Sequence, residues 1–281
     1  MILFPNAKIN LGLLVTGKRP DGYHDLSTVM IPVGWCDILE IIASDGDGIT
    51  FHCEDDFGGC APENNLVVKA LRALEDYIGR SLPPMEIYLK KIIPMGAGLG
   101  GGSADASFAI RGVNELFGLG LDDAAMAQVA LKVGADCPFF IYNRPALATG
   151  VGEILEPVDI SAIAGCGLLI AKPRSEAVST REAYAGVTIG APAPGMSPAS
   201  ELTGDVGTWR HSPLMVNGFE DTIFPLRPEI RAVKERMYEA GAMFASMSGS
   251  GAAVYGIFPG AKMAEEASDA FGDCEVFAGV L

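Results

Sequence analysis

Positive charge is scarce in this chain: 20 lysines and arginines stand against 35 aspartates and glutamates, a formal net charge of -15 over 281 residues. A field of that sign opposes generic binding to nucleic acid or to an anionic membrane, so neither partner is expected. Any anionic ligand must be met by donors placed locally. No stretch is long and apolar enough to span a bilayer, and the opening "MILFPNAKINLGLL" lacks the basic lead and small-residue cleavage site of a signal peptide. A cytoplasmic protein is expected. The six cysteines, Cys36, Cys53, Cys60, Cys137, Cys166 and Cys274, include no C-x-x-C pair, which argues for reduced thiols. His52, Cys53 and Cys60 could in principle ligate zinc but have no fourth ligand at a customary spacing, and a zinc site is not expected. With 49% hydrophobic residues against 20% charged, the composition leaves no room for extensive disorder.

The length exceeds what one hydrophobic core usually serves, and two domains are expected, 1–158 and 159–281. Alternating apolar positions predict strands over 38–43, 49–53 and 85–89. Asn65 can cap a helix whose apolar face is Leu66, Ala70, Leu74 and Tyr77, stopped at Gly79. A second helix is expected from Ser103 to a stop at Gly118, and a third from about Asp122 to Val133. After Pro157 the pattern resets to strand 167–171, helices 180–185 and 228–240, strands 242–247 and 252–258, helix 261–271 and strand 275–278. That order reads βαββαβ, the ferredoxin-like split motif. The stretch 190–213, rich in Pro, Gly, Ser and Thr, is expected to be a surface loop or lid margin.

The run "PMGAGLGGGS" (94–103) carries five glycines and no lysine. It formally satisfies G-x-G-x-x-G, but it follows an amphipathic segment with Lys90, Lys91 and Pro94, and no ribose-binding acid stands at the expected distance. It also reads as a phosphate loop in which the lysine has become Gly102. What remains is a nest of backbone N–H donors at a helix start, with the Ser103 hydroxyl free for a phosphate or a bound metal. A flexible turn is the plainer alternative.

These residues resemble the GHMP kinases, a superfamily that includes galactokinase, homoserine kinase and mevalonate kinase. Pro94 to Ser103 matches their phosphate loop, while "AKINLGLLVTGKRPDGYHDLSTVM" and "SMSGSGAAVYGIF" resemble their first and third motifs in order and spacing. The resemblance covers almost the whole chain and implies an α+β, two-domain architecture: a ribosomal-S5-domain-2-like N-terminal domain and a ferredoxin-like C-terminal one. "GKRPDGYHDL", "GLGGGSADA" and "GADCPFF" look specifically like the branch that phosphorylates the 2-hydroxyl of a cytidine-diphosphate-linked methylerythritol, in non-mevalonate isoprenoid biosynthesis. Ala104 and Ala253 stand where family members often carry Ser and Thr.

The resemblance implies catalytic roles for Lys8 and Asp136, with the lysine supplying the cation that the glycine run lacks. A carboxylate within reach of an alcohol can take its proton, and an ammonium steadies charge on the moving phosphoryl group. Asp136 is expected near a helix C-terminus, the unfavourable end of the dipole for a carboxylate. ATP is implied along Pro94, Gly96, Gly98, Leu99, Gly100, Gly101, Gly102 and Ser103, with Mg²⁺ accompanying it. Asn65 and Lys90 are candidates for its nucleoside, although a helix cap serves equally well for Asn65. Tyr23 and His24 are implied to recognise the cytosine, with Thr180 and Tyr184 on its other side, and Asn10 to place the hydroxyls or diphosphate. Gly249, Ser250 and Gly251 are read as a second glycine loop near substrate, or simply as a hairpin. The implied partners are ATP and a small polyol nucleotide, acting on a monomer or weak homodimer. Rival readings are another superfamily kinase, a non-catalytic nucleotide-binding protein and a dehydrogenase.

Overall fold

The computed structural model describes residues 1–53 and 62–281, which leaves Cys60 outside the described residues. In chain order the strands are β1 (Ile2–Leu3), β2 (Asn6–Lys18), β3 (His24–Cys36), β4 (Ile38–Ala43), β5 (Ile49–Cys53), β6 (Met85–Lys90), β7 (Ala146–Thr149), β8 (Ile154–Pro157), β9 (Gly167–Pro173), β10 (Phe244–Met247), β11 (Val254–Phe258) and β12 (Cys274–Val280). The α-helices are α1 (Leu66–Ile78), α2 (Gly101–Leu116), α3 (Asp123–Leu131), α4 (Cys137–Tyr142), α5 (Thr180–Ala185), α6 (Glu220–Leu226), α7 (Pro228–Glu239) and α8 (Ala261–Ser268). They form two compact units that are discontinuous in sequence. The first comprises 1–7, 34–93 and 100–144, and the second 8–33, 94–99 and 145–281.

In the first unit a sheet of order β1-β4-β6-β5 packs with α1 to α4. β4 is antiparallel to β1 and β6, and β5 runs parallel to β6. Helix α1 starts where Asn65 Oδ1 accepts the Val67 N–H at 2.8 Å and stops at Gly79, which takes the left-handed conformation that a side chain resists. Its buried face is Val67, Ala70, Leu71 and Leu74. Of the expected face, Leu66 lies half-buried at the margin of that stripe and Tyr77 is exposed, because the i, i+3, i+4 set is centred one residue on. A second correction concerns α2, which begins at Gly101 with a left-handed Gly100 as its N-cap, so Ser103 lies inside the first turn and is not the cap.

In the second unit β9 to β12 form an antiparallel sheet of order β10-β11-β9-β12, the strand arrangement of the ferredoxin-like fold. Helices α7 and α8 bury Ile230, Val233, Met237, Ala264 and Ala267 in one core with Leu169, Ala171, Ala245, Met247, Val254 and Phe258 of the sheet. Each such large apolar side chain contributes roughly 1.5–3 kcal/mol by leaving water. A further sheet, of order β2-β3-β7-β8, carries the long strands that deliver the first motif. The 190–213 stretch is not a plain surface loop: it holds two 3-10 helices, Pro198–Glu201 and Val206–His211. Trp209 is 1% exposed, donates its indole N–H to Glu201 O at 3.0 Å and meets Phe244 edge-on. Isolated apolar residues in a Gly- and Ser-rich context hid this anchoring. The chain's other tryptophan, Trp35 in the first unit, is also buried.

Candidate active site

In the second unit Lys8 lies on β2, buried, and its ammonium donates to Asn10 Oδ1 at 2.6 Å and to Gly98 O at 3.0 Å. The Lys8 N–H also bonds Leu99 O at 2.9 Å, so strand and glycine run are tied through main chain and side chain together. Asn10 is oriented in turn by donating its amide to Thr28 Oγ1 at 3.1 Å, and its carbonyl accepts the Tyr255 hydroxyl at 2.8 Å. The cation that the glycine run lacks is therefore at its side, 90 residues away in sequence.

Gly96 and Gly98 both take positive φ. At Gly98 a Cβ would stand 1.9 Å from Ser248 O, so the close approach of two backbones requires glycine there. The turn between β10 and β11 is joined to the run by Ala252 N to Gly96 O and Ala253 N to Ala97 O, both 3.1 Å, and by Ser248 Oγ donating to Gly98 O at 3.0 Å. Gly98 O thus receives both Lys8 and Ser248. A Cβ on Gly249 would lie 3.3 Å from Lys8 Nζ, and Ser250 is half-buried beside the buried Gly249 and Gly251. More than a hairpin, this turn is part of the same hydrogen-bonded assembly as Lys8.

The segment before β3 is a tight turn in which Asp21 accepts the Tyr23 N–H at 3.0 Å, leaving the Tyr23 ring 63% exposed. His24 stacks on Tyr184 with ring centroids 4.7 Å apart, and Tyr184 meets Phe219 edge-on at 4.8 Å. The two rings are brought together as a pair, and Tyr23 is not in that stack. Thr180 opens α5 and is exposed.

In the first unit the start of α2 presents the N–H groups of Gly101, Gly102 and Ser103, which have no partner within the helix by geometry. Cys137 is drawn to this turn: Ser107 Oγ donates to both Ser103 O (2.8 Å) and Cys137 O (2.7 Å). Burial pushes the Cys137 thiol up to about 11, with the Ser103 hydroxyl bonding the sulfur and opposing the shift. Asp136, the preceding residue, is thereby carried to the same end of α2. It stands at the N-cap position of α4, not near a helix C-terminus, and its side chain does not cap that helix. The expected dipole misfit was a misassignment of the helix end: a new helix opens at Cys137 just after the aspartate, with Pro138 in its first turn. Asn65 caps α1 as described, and the neighbouring Leu66 side chain would be 3.2 Å from a Cβ on Gly102. Lys90 is exposed at the end of β6.

Residues that sequence reasoning missed lie beneath the first turn of α2. The Lys91 side chain, 9% exposed, lies between the buried Asp37 and Asp105, donating to Asp105 Oδ2 at 2.7 Å and to Asp37 Oδ2, while Asp37 Oδ1 also accepts the Ile92 and Ile93 N–H groups. Asp105 Oδ1 is buried without a hydrogen-bond partner. Burial pushes the Asp105 carboxyl up to about 7, with Lys91 opposing and Asp37 adding to the shift. Lys91 Nζ is 3.2 Å from where a Cβ of Gly101 would sit. Of the three residues weighed for zinc, His52 and Cys53 are consecutive on β5 and so face opposite sides, and His52 stacks on Tyr88. Among the described residues no three His, Cys, Asp or Glu are grouped as a metal site, and no helix is long and apolar enough to cross a membrane.

The family of GHMP kinases N terminal domains matches residues 65–144, and that of GHMP kinases C terminal domains matches 205–275. The chain is 47% identical over the full length of both proteins to a Parabacteroides distasonis protein named 4-diphosphocytidyl-2-C-methyl-D-erythritol kinase. The chain belongs to the GHMP kinases. A Bacteroides fragilis relative of the same name is 46% identical, covering 92% of each chain. This GHMP kinase also superposes on a crystal structure of 4-(cytidine 5'-diphospho)-2C-methyl-D-erythritol kinase with a TM-score of 0.81 and 32% identity, over 99% of this chain and 98% of that one. The Methanococcus jannaschii mevalonate kinase, at TM-score 0.73 and 14% identity over 100% and 98%, shares the fold.

Proposed function

We propose that this GHMP kinase transfers the γ-phosphoryl group of ATP to the 2-hydroxyl of 4-diphosphocytidyl-2-C-methyl-D-erythritol. The substrate assignment is supported by the relatives of that name at 46–47% identity over 92–100% of the chain. The observation that carries the chemistry is the Lys8 ammonium bonded to Gly98 O of the glycine run.

In this reading Asp136 takes the proton of the 2-hydroxyl as the new oxygen–phosphorus bond forms and the bond from the γ-phosphorus to the bridging oxygen breaks, releasing ADP. Lys8 stabilises the negative charge on the transferring group, and Asn10 orients Lys8 and the acceptor. Backbone N–H groups of Gly96 to Ser103, with Pro94 and Leu99 shaping the run, cradle the phosphates. His24 and Tyr184, with Tyr23 and Thr180, hold the cytosine, where aromatic stacking contributes about 1–3 kcal/mol per base. Gly249 to Gly251 lie against the reacting groups. Asn65 and Lys90 contact the ATP nucleoside. When bound with the nucleotide, Mg²⁺ would supply charge neutralisation on the phosphates. The described residues offer no cluster of metal ligands for it, and no step here depends on an ion held by the protein.

The test is ADP release with Mg-ATP and, separately, the cytidylyl polyol, mevalonate, homoserine and galactose, with Asp136→Ala alongside. Turnover confined to the cytidylyl acceptor and lost in the variant is expected. ATP binding without ADP release from any acceptor would refute the kinase reading, and full activity in Asp136→Ala would reassign the base.

A further inference from the structure

The segment Val216–Glu220 belongs to no motif of the sequence, yet it stitches the strand of Lys8 to the turn at Gly249. On one side Leu13 of β2 bonds it twice, Leu13 N to Val216 O at 2.8 Å and Gly218 N to Leu13 O at 2.7 Å. On the other side Asn217, 3% exposed, donates its amide to Met247 O at 2.7 Å and to Gly249 O at 2.8 Å, while its Oδ1 accepts the Phe219 N–H at 3.0 Å. Three residues on, Glu220 Oε1 accepts the Met247 N–H at 2.8 Å and the Ser246 hydroxyl at 3.1 Å, and its other oxygen pairs with Lys234. Asparagine and glutamate at this spacing thus grip opposite polar groups of one residue, Met247, and asparagine reaches past it into the turn.

The amide is chemically suited to this place. Two buried carbonyl oxygens need two hydrogens on one atom, and a carboxamide supplies both without introducing charge. What Asn217 holds is the turn whose Ser248 hydroxyl shares Gly98 O with the Lys8 ammonium.

We propose that Asn217 is a positioning residue for phosphoryl transfer: it fixes the Ser248–Gly251 turn, and through Ser248 and Gly98 the place of the Lys8 ammonium. The proposal rests on the reading of Lys8 given above. Asn217 touches no reacting atom in this account, and its loss acts through geometry, where misplacement by about 1 Å costs on the order of 100-fold in rate.

The experiment compares Asn217→Asp, Asn217→Ala and Ser248→Ala with wild type, measuring kcat, KM for ATP and acceptor, thermal midpoint and amide hydrogen exchange across 246–254. Asn217→Asp keeps the shape but turns oxygen towards both carbonyls. The expected result is a kcat lowered about 100-fold with each KM within about threefold, as for an interaction felt in the transition state. Exchange should rise in 248–252 while other segments stay protected. Ser248→Ala, a smaller truncation, should lower kcat in the same sense if the Asn217 variants do not fold. A folded Asn217→Ala with wild-type kcat, a Ser248→Ala with wild-type kcat, or exchange raised evenly along the chain would overturn the proposal. If wild type turned over no acceptor, the kinase reading would fail, and exchange in the turn would alone decide whether Asn217 holds it.

Discussion

Leu99 and Gly100 are neighbours in the chain but members of different compact units, and the two halves of the glycine run are held by different chemistry. Gly96 to Leu99 are secured by neutral hydrogen bonds from Ala252, Ala253 and Ser248 and by one ammonium, at a separation that only glycine permits. Gly100 and Gly101 begin a helix whose first turn rests on a buried cation gripped by two carboxylates. Losing a neutral bond costs about 1 kcal/mol, whereas stranding a buried charge costs several. The first half is thus set by shape and the second by charge balance, so the same substitution size should have unequal effects on the two.

The largest effect should come from Lys91→Met, which leaves Asp37 and Asp105 buried without their cation. A loss of about 3–5 kcal/mol in urea unfolding is expected. A loss below about 1 kcal/mol would show that the carboxylates neutralise by taking protons, and the contrast between the halves would collapse. On the other side of the boundary, Gly98→Ala combines a left-handed backbone with a Cβ driven into Ser248 O. It should cost about 1–3 kcal/mol and lower kcat more than it lowers the unfolding midpoint.

The third prediction follows from the Asp105 carboxyl, raised to about 7. A raised carboxyl means that the fold favours the protonated form. Its stabilising contribution is therefore complete below the ordinary carboxylate range and is lost as pH rises through about 7. Between those limits wild type should lose stability relative to Asp105→Asn, by at most about 1.4 kcal/mol per pH unit. Parallel pH profiles for the two proteins would show that Asp105 is ionised throughout. The smallest effect belongs to the neutral cap of the first unit: Asn65→Ala should cost about 1 kcal/mol. A raised KM for ATP in that variant would favour the nucleoside role, and an unchanged KM the cap alone.

How far these features were legible in the sequence depended on whether the signal was local. Strands β4 and β5 and helix α5 fall at the expected residues because alternation, turn residues and caps all lie within a few positions of one another. The βαββαβ order was readable for the same reason. Strands β2 and β3 were not delimited: β2 is buried continuously from Asn6 to Val15, so it has no period of two, and Pro32 reads as a strand breaker in the sequence although β3 runs through it. Lys8 and the glycine run were recognisable as motifs. The ion cluster was not, since Asp37, Lys91 and Asp105 are separated by 54 and 14 residues and each taken alone reads as a solvated charge. Asn217 was hidden likewise, in a stretch resembling any turn.

The burial of Trp209 has an optical consequence. With only two tryptophans in the chain, each compact unit holds one, Trp35 in the first and Trp209 in the second, both shielded from water. Intrinsic emission is therefore a two-channel signal. Trp35→Phe would leave a fluorophore in the ferredoxin-like unit alone and Trp209→Phe one in the unit of the ion cluster, so the red shift of each during unfolding would time the loss of each unit without any attached label.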